Sequence, residues 1–295
     1  VTEPGKQEKL QEIESIRGHE LDAEQARERL TSLILDADED VRAEAAAAVW
    51  EHSDEEGLVQ HVLRLSIEDA SARVRAKALT ALGRIIYEGS ISGADESSYQ
   101  PDELLGEPSA ELFKKVLAHL LATVSDEKRT LDERRFALEA TGFLGHDPRI
   151  QELMRTFWAR PEAGARLSAI FAMGRSGDQR WAGPIQEAIA SKDEELRLQG
   201  IWAAGEAEIK AAGDALVRIV SGSKDRDERI AAIDAASRLG GESVAKLLLA
   251  IAEHDEDPEL REAAAAGLEE IALLDSLDSL DAGGTDADDD EEADD

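Results

Sequence analysis

The chain has 295 residues, with 33 Lys plus Arg against 66 Asp plus Glu, no cysteine and 4% aromatics. A formal charge of −33 repels polyphosphate, so direct nucleic-acid binding through Lys and Arg is not expected. Without cysteine there are no disulfides, thiolate nucleophiles or thiolate metal sites, and no apolar run approaches the roughly 18–20 residues that span a bilayer.

Abundant Ala, Leu, Arg and Glu favour helices almost throughout. The first residues, Val1 to Lys6, lack a signal peptide's apolar core, and the expectation is a soluble cytoplasmic protein. Residues 6–17 then place Leu10, Ile13 and Ile16 on one side of a helix that Gly18 is expected to end as a C-cap. Residues 1–23 therefore read as a capping helix and linker.

From residue 24 to residue 272 the chain is self-similar. Arg42, Arg75, Arg134, Arg166, Arg197, Arg229 and Arg261 each precede small residues at plus three and plus six and an apolar residue at plus four. Their spacings are 33, 59, 32, 31, 32 and 32, so the period is about 32 with one insertion of roughly 27 residues. Each period reads as two helices: an apolar stripe such as Leu58, Val62 and Leu65, then an acidic turn, then the arginine-bearing helix. Asp, Ser and Pro in those turns serve as N-cap and first-turn residues. The plus-four column is Ala46, Leu79, Leu138, Ile170, Ile201, Ile233 and Ala265, and the Ala and Gly columns beside it let neighbouring helices approach closely. One hairpin cannot bury such a face alone, but stacked neighbours can. The fold class is all-α, an α-α superhelix of seven helical-hairpin repeats.

Two segments fall outside the period. The insertion, at about 88–108, is rich in Gly, Ser, Asp and Pro and reads as a loop; Tyr99, Leu104 and Leu105 are candidate anchors there. Residues 273–295 carry eleven acids and no base, so they read as an acidic tail that is disordered by composition from Asp286 onward. Leu273, Leu274, Leu277 and Leu280 either extend the last helix or form a short binding motif.

The pattern of an acidic turn followed by V-R-x-x-A-x-x-A-L-G resembles the HEAT repeat, particularly the short variety named after phycobilisome lyases. Residues Val74 to Gly83 are close to an ideal copy, and Gly177, Asp178, Arg180, Pro184 and Ile185 match that variety's first helix. The resemblance covers about residues 24–272. It implies a HEAT-like solenoid with the second helices on the concave face. It also implies that each repeat arginine pairs with an acidic turn residue of an adjacent repeat; Asp36, Asp69, Asp193, Asp225 and Asp255 are the candidates. In the fourth repeat the turn reads Arg160-Pro-Glu162, and an interruption of the ladder is expected there. The Lys-poor acidity resembles that of proteins from salt-loving organisms. Salt adaptation and partner recognition are both open explanations for it.

No catalytic pattern emerges. The histidines at 19, 52, 61, 119, 146 and 254 are scattered, none in a metal-ligand spacing on one helix. Phosphate loops, nucleophile elbows and dinucleotide fingerprints are absent. The expectation is a non-enzyme with no cofactor, no metal and no small-molecule substrate.

Positions plus two, plus five and plus nine of each second helix lie opposite the core face. In the third to fifth repeats they are Phe136, Glu139, Phe143, then Ser168, Phe171, Arg175, then Gln199, Trp202, Glu206. Phe136, Phe143, Phe171 and Trp202, flanked by Arg84, Arg175 and Arg238, are the candidate partner-binding residues. Either they dock an apolar or amphipathic segment of a partner protein, or the rings pack sideways between adjacent hairpins. The functional expectation is a scaffold that captures partner proteins. A subunit of a lyase-type enzyme and an acidic nucleic-acid mimic are the alternatives.

Overall fold

A computed structural model describes residues 5–52, 56–93 and 108–283. The described residues hold fifteen α-helices and no strand. Helix α1 (Lys6–Arg17) is followed by seven hairpins: α2 (Ala23–Leu33) with α3 (Glu39–Ala48), α4 (Glu56–Glu68) with α5 (Ala72–Ser92), and α6 (Ala110–Ser125) with α7 (Leu131–Thr141). Then come α8 (Pro148–Trp158) with α9 (Ala163–Arg175), and α10 (Ala182–Ile189) with α11 (Glu194–Glu206). The last two are α12 (Gly213–Gly222) with α13 (Arg226–Leu239) and α14 (Glu242–His254) with α15 (Pro258–Gly283).

The turns are built by acids that cap helices. Asp22, Asp38, Asp147, Asp193 and Asp225 each accept a backbone N–H in the first turn of α2, α3, α8, α11 and α13, and Pro148 opens α8. Thr130 and Glu133 form a reciprocal capping box on α7. At the end of α1, Gly18 keeps an ordinary φ of −75°, and the left-handed residue is His19 at +55°. Gly18 is thus the C-cap expected, and the left-handed residue follows it.

The chain forms two compact units, residues 1–176 and 177–295. In the first, α3 packs on α5, α5 on α7 and α7 on α9; in the second, α11 packs on α13 and α13 on α15. The first helices of successive hairpins touch each other little, so within each unit the second helices form the tight inner row. Their small columns make this possible. Ala45, Ala78, Ala137, Ala169, Ala232 and Ala264 are wholly buried. A Cβ placed on Gly205 would stand 2.7 Å from the Cα of Ala235, so at that point one backbone lies directly on the next. The plus-four residues are buried in the first six repeats, whereas Ala265 is exposed because α15 has no following hairpin. At the other end, α1 packs on α3, burying Ile13 and Ile16, while Lys9 pairs with Asp36 at 2.6 Å and Arg17 with Glu44 at 3.0 Å.

The arginine ladder exists, with partners that differ in part from those expected. Arg42 forks onto Asp69 of the next repeat at 2.8 and 3.1 Å, and Arg229 reaches Asp255 at 2.7 Å. Arg75 instead takes Glu133 at 2.7 and 3.2 Å, and Arg197 takes Glu228. Asp193 and Asp225 are occupied as caps, and Asp36 receives Lys9, so a glutamate one turn into the helix replaces the turn aspartate. Arg134, facing the unusual fourth turn, bonds the carbonyl of Val124 at 2.9 Å. The guanidiniums also tie down their own turns: Arg42 donates to the carbonyls of Asp36 and Ala37, and Arg75 to those of Asp69 and Ala70.

The Arg75–Glu133 pair joins the second and third repeats across the insertion. Helix α5 runs on to Ser92, so the first residues of the expected loop are helical; Tyr99, Leu104 and Leu105 lie outside the described residues. Helix α15 extends through Gly283, taking in the leucine segment of the expected tail, and Asp286 to Asp295 lie outside the described residues.

Glu133 is fully buried. Burial pushes its carboxyl up, but hydrogen bonds from Arg75, Arg129 and Thr130 outweigh this and hold it down to about 2. Removing one member of such a network strands the others. Glu133→Ala is expected to cost about 3–5 kcal/mol of unfolding free energy, read by urea titration. A depressed carboxyl stabilises the fold above its ordinary value of 4.5 and loses that contribution as pH falls through about 2. The wild type should therefore lose stability over that window faster than Glu133→Gln, measured by thermal melts at stepped pH.

Candidate docking face

In the first unit the C-terminal ends of α3, α5, α7 and α9 converge along the inner row. Eight positions after the repeat arginine the second to fourth repeats carry Gly83, Gly142 and Gly174, where no side chain stands between helices. The first repeat carries Trp50 at this position, on a short 3-10 turn from Val49 to His52. An indole carbon of Trp50 lies 3.0 Å from where Gly83 would bear a Cβ, so the ring packs against α5 at that glycine. It thereby reaches the fourth repeat, where the guanidinium carbon of Arg175 stands 5.4 Å from the ring centroid.

Arg175 is the centre of this cluster. Its guanidinium lies 4.5 Å from the Phe143 centroid and 4.4 Å from that of Phe171. Tyr87 tilts against Phe143 with centroids 4.9 Å apart, and Arg84 lies 5.3 Å over Tyr87 while bonding Glu88 at 2.7 Å. All four rings and both arginines are half-buried, which leaves part of each open on the inner surface. Each ring–guanidinium contact of this kind contributes about 0.5–1 kcal/mol at exposed sites and more when desolvated.

Glu139 borders the cluster. Burial raises its carboxyl, against the pull of a hydrogen bond from the Ser168 hydroxyl and of Arg135 and Arg175 nearby. Ser168 itself is wholly buried, so it does not line the groove as its position in the stripe implied. Its hydroxyl is turned to Glu139.

The candidate residues therefore divide. Phe143, Phe171, Arg84 and Arg175 come together. Phe136 stands apart beneath the Arg135 guanidinium, at 4.3 Å, and lines a cleft of about 410 Å³ with Ala72, Ala76, Lys77 and Asp132. Trp202 and Arg238 belong to the second unit. There Trp202 is half-buried on α11, and Arg238 reaches Glu206 at 3.2 Å and Asp234 at 3.5 Å. Trp50 and Tyr87 join the cluster without having been foreseen. A large ring in a column held by glycine in the second to fifth repeats was the signal for Trp50. Tyr87 lies past the end of the repeat consensus and carried none.

Comparison with known proteins gives a consistent result. HEAT repeats match over residues 181–269 and 213–293. The complex of CpcE and CpcF of phycocyanin lyase from Nostoc sp. superposes with a TM-score of 0.54 at 16% identity, covering 88% of this chain and 95% of that one. Residues 181–293 thus match HEAT repeats, and the chain shares the α-α superhelical fold. An archaeal HEAT-like repeats protein from Thermococcus onnurineus gives a TM-score of 0.40 at 13% identity over 86% and 98% of the two chains. Human deoxyhypusine hydroxylase in complex with glycerol gives 0.38 at 16% identity over 90% and 97%. No curated protein matches the sequence.

Elsewhere in the HEAT-like array, polar side chains have structural duties. Ser66 donates its hydroxyl proton to the carbonyl of Leu63 at 2.7 Å, and Nε2 of His119 lies 2.9 Å from the same oxygen. Ser66 is fully buried on α4 beside this ring. Burial, with Arg129 nearby, lowers the His119 pKa. A cleft of about 540 Å³ opens between the fifth and sixth HEAT-like repeats, lined by Ile189, Arg197, Arg218, Ile219, Ser223 and Glu228. Among the described residues no cluster of three or more His, Asp or Glu could hold a metal ion, and no helix is long and apolar enough to cross a membrane.

Proposed function

We propose that this HEAT-like scaffold binds partner proteins on the inner row of its second helices, with the ring and arginine cluster of the first unit as the anchor. The observation that carries this reading is the gathering of Phe143, Phe171 and Arg175 from different repeats into one half-open patch. Half-buried aromatic rings and arginines are the side chains that concentrate binding energy at interfaces. An apolar face of a partner helix or loop settles on the rings, and Arg84 bonds its polar edge. Phe136 supplies a second hold at its own cleft, and the second unit's Trp202 and Arg238 form a separate docking point on α11 and α13. Helix α1 caps the array.

The likeness to phycocyanin lyase supports this reading, since that structure is a complex of two chains. A subunit role in a lyase-type enzyme would use the same docking face. Charge mimicry of nucleic acid would instead place the binding energy in the carboxylates, and binding would then vanish at molar salt.

Affinity capture from the organism of origin, at its own salt concentration, tests the proposal. Phe143→Ala with Phe171→Ala is expected to lose the captured partners at least tenfold, a hot-spot loss of about 1.4 kcal/mol or more, with helical circular dichroism unchanged. An unchanged set of partners would refute docking on these rings, and loss of helical signal would show that they are packing residues.

A further inference from the structure

The docking reading leaves open what kind of side chain the rings receive, and the geometry around Arg175 addresses this. Three ring faces from three different repeats, Trp50, Phe143 and Phe171, stand 4.4–5.4 Å from a single guanidinium carbon. Such an arrangement suits a planar cation, because each ring presents its negative face to the same point. The rings are held from outside that point: Trp50 lies against Gly83, Phe143 follows the close contact of Gly142 with Ala172, and Tyr87 backs Phe143. Trp50 and Phe143 thus have packing contacts of their own besides the guanidinium. Arg175 itself sits on the last turn of α9 at the end of a flexible stem and is half-exposed, so it can swing toward solvent.

The surroundings favour a cation from outside. The chain carries −33, and Glu51, Glu88 and Glu139 stand on the inner row beside the rings. An arriving guanidinium that replaces Arg175 leaves the charge between the rings unchanged. The rest of a basic segment is drawn in by the acidic surface, which raises its association rate.

We infer that Arg175 is the internal occupant of an aromatic cage, displaced on binding by an arginine of a basic amphipathic segment of the partner protein. This rests on the docking reading above and narrows it. Arg175 then competes with the partner and sets its affinity, and the partner is basic rather than acidic.

The test uses the full chain and three synthetic amphipathic peptides of about four helical turns. They share one apolar face and carry arginine, citrulline or glutamate on the flank; binding is followed by fluorescence anisotropy. The arginine peptide is expected to bind the wild type, and to bind Arg175→Met about tenfold more tightly because three ring contacts no longer have to be vacated. Arg175→Lys, which keeps the charge but lacks the planar fork, should fall between the two, and the citrulline peptide should gain nothing from either substitution. If the arginine peptide binds Arg175→Met equally or more weakly, or if the glutamate peptide prefers the wild type, Arg175 is a contact for the partner and the inference fails. In that case binding that is still lost in Phe171→Ala would leave the docking face standing. Binding of all three peptides that ignores Phe171→Ala, or no binding by any, would remove both.

Discussion

The close approach of the second helices is the constraint on which the rest of this structure depends. Two α-helices whose facing positions are alanine or glycine can bring their backbones nearly into contact, as Gly205 does on Ala235. Larger residues on the first helices hold the outer rows apart. Each unit is therefore crowded along its inner row and open along its outer one, and this difference carries the chemistry. It puts Arg42, Arg75, Arg197 and Arg229 within reach of an acid in the next repeat, and it draws the ends of α3, α5, α7 and α9 close enough for Trp50 to reach Arg175.

The ladder and the cluster are two uses of arginine under the same constraint. In the ladder the guanidinium is clamped between a neighbouring carboxylate and the carbonyls of its own turn, so it stitches repeats together and closes a turn at once. A chain with twice as many acids as bases repels itself in dilute buffer, and cross-repeat ion pairs at partly buried sites are where its few cations act with least screening. Across the insertion this matters most, because Arg75 and Glu133 are far apart in sequence yet meet as though they were in adjoining periods. In the cluster, by contrast, the guanidinium meets ring faces at a surface that stays partly open. The first arrangement is a fastening; the second resembles an interface already half assembled.

Much of this was legible beforehand. The period, the seven hairpins, the small columns and the acidic caps follow from residue spacing, because a helix repeats its faces every 3.6 residues whatever it packs against. What lay beyond reach was any contact made by a long side chain after it leaves its own helix. Glu133 and Glu228 replace turn aspartates as ladder acceptors because their side chains reach the guanidinium from one turn further on, while Asp225 is held as a cap. Ser168 lies in the groove stripe by position and is buried in fact, bonded to Glu139 of the preceding repeat. Trp50 broke a column of glycines, which marked it as exceptional, yet the direction of its ring depends on the empty space over Gly83 in another repeat. That space exists only after the helices have stacked.

The contact between Trp50 and Arg175 joins repeats that are far apart in the chain, and it forms only if every intervening helix packs closely. A double-mutant cycle on Trp50→Leu and Arg175→Met, measured by urea unfolding, reads that contact directly. The account predicts a coupling of about 0.5–1 kcal/mol, lost when the intervening small column is enlarged. Strict additivity of the two substitutions would contradict it.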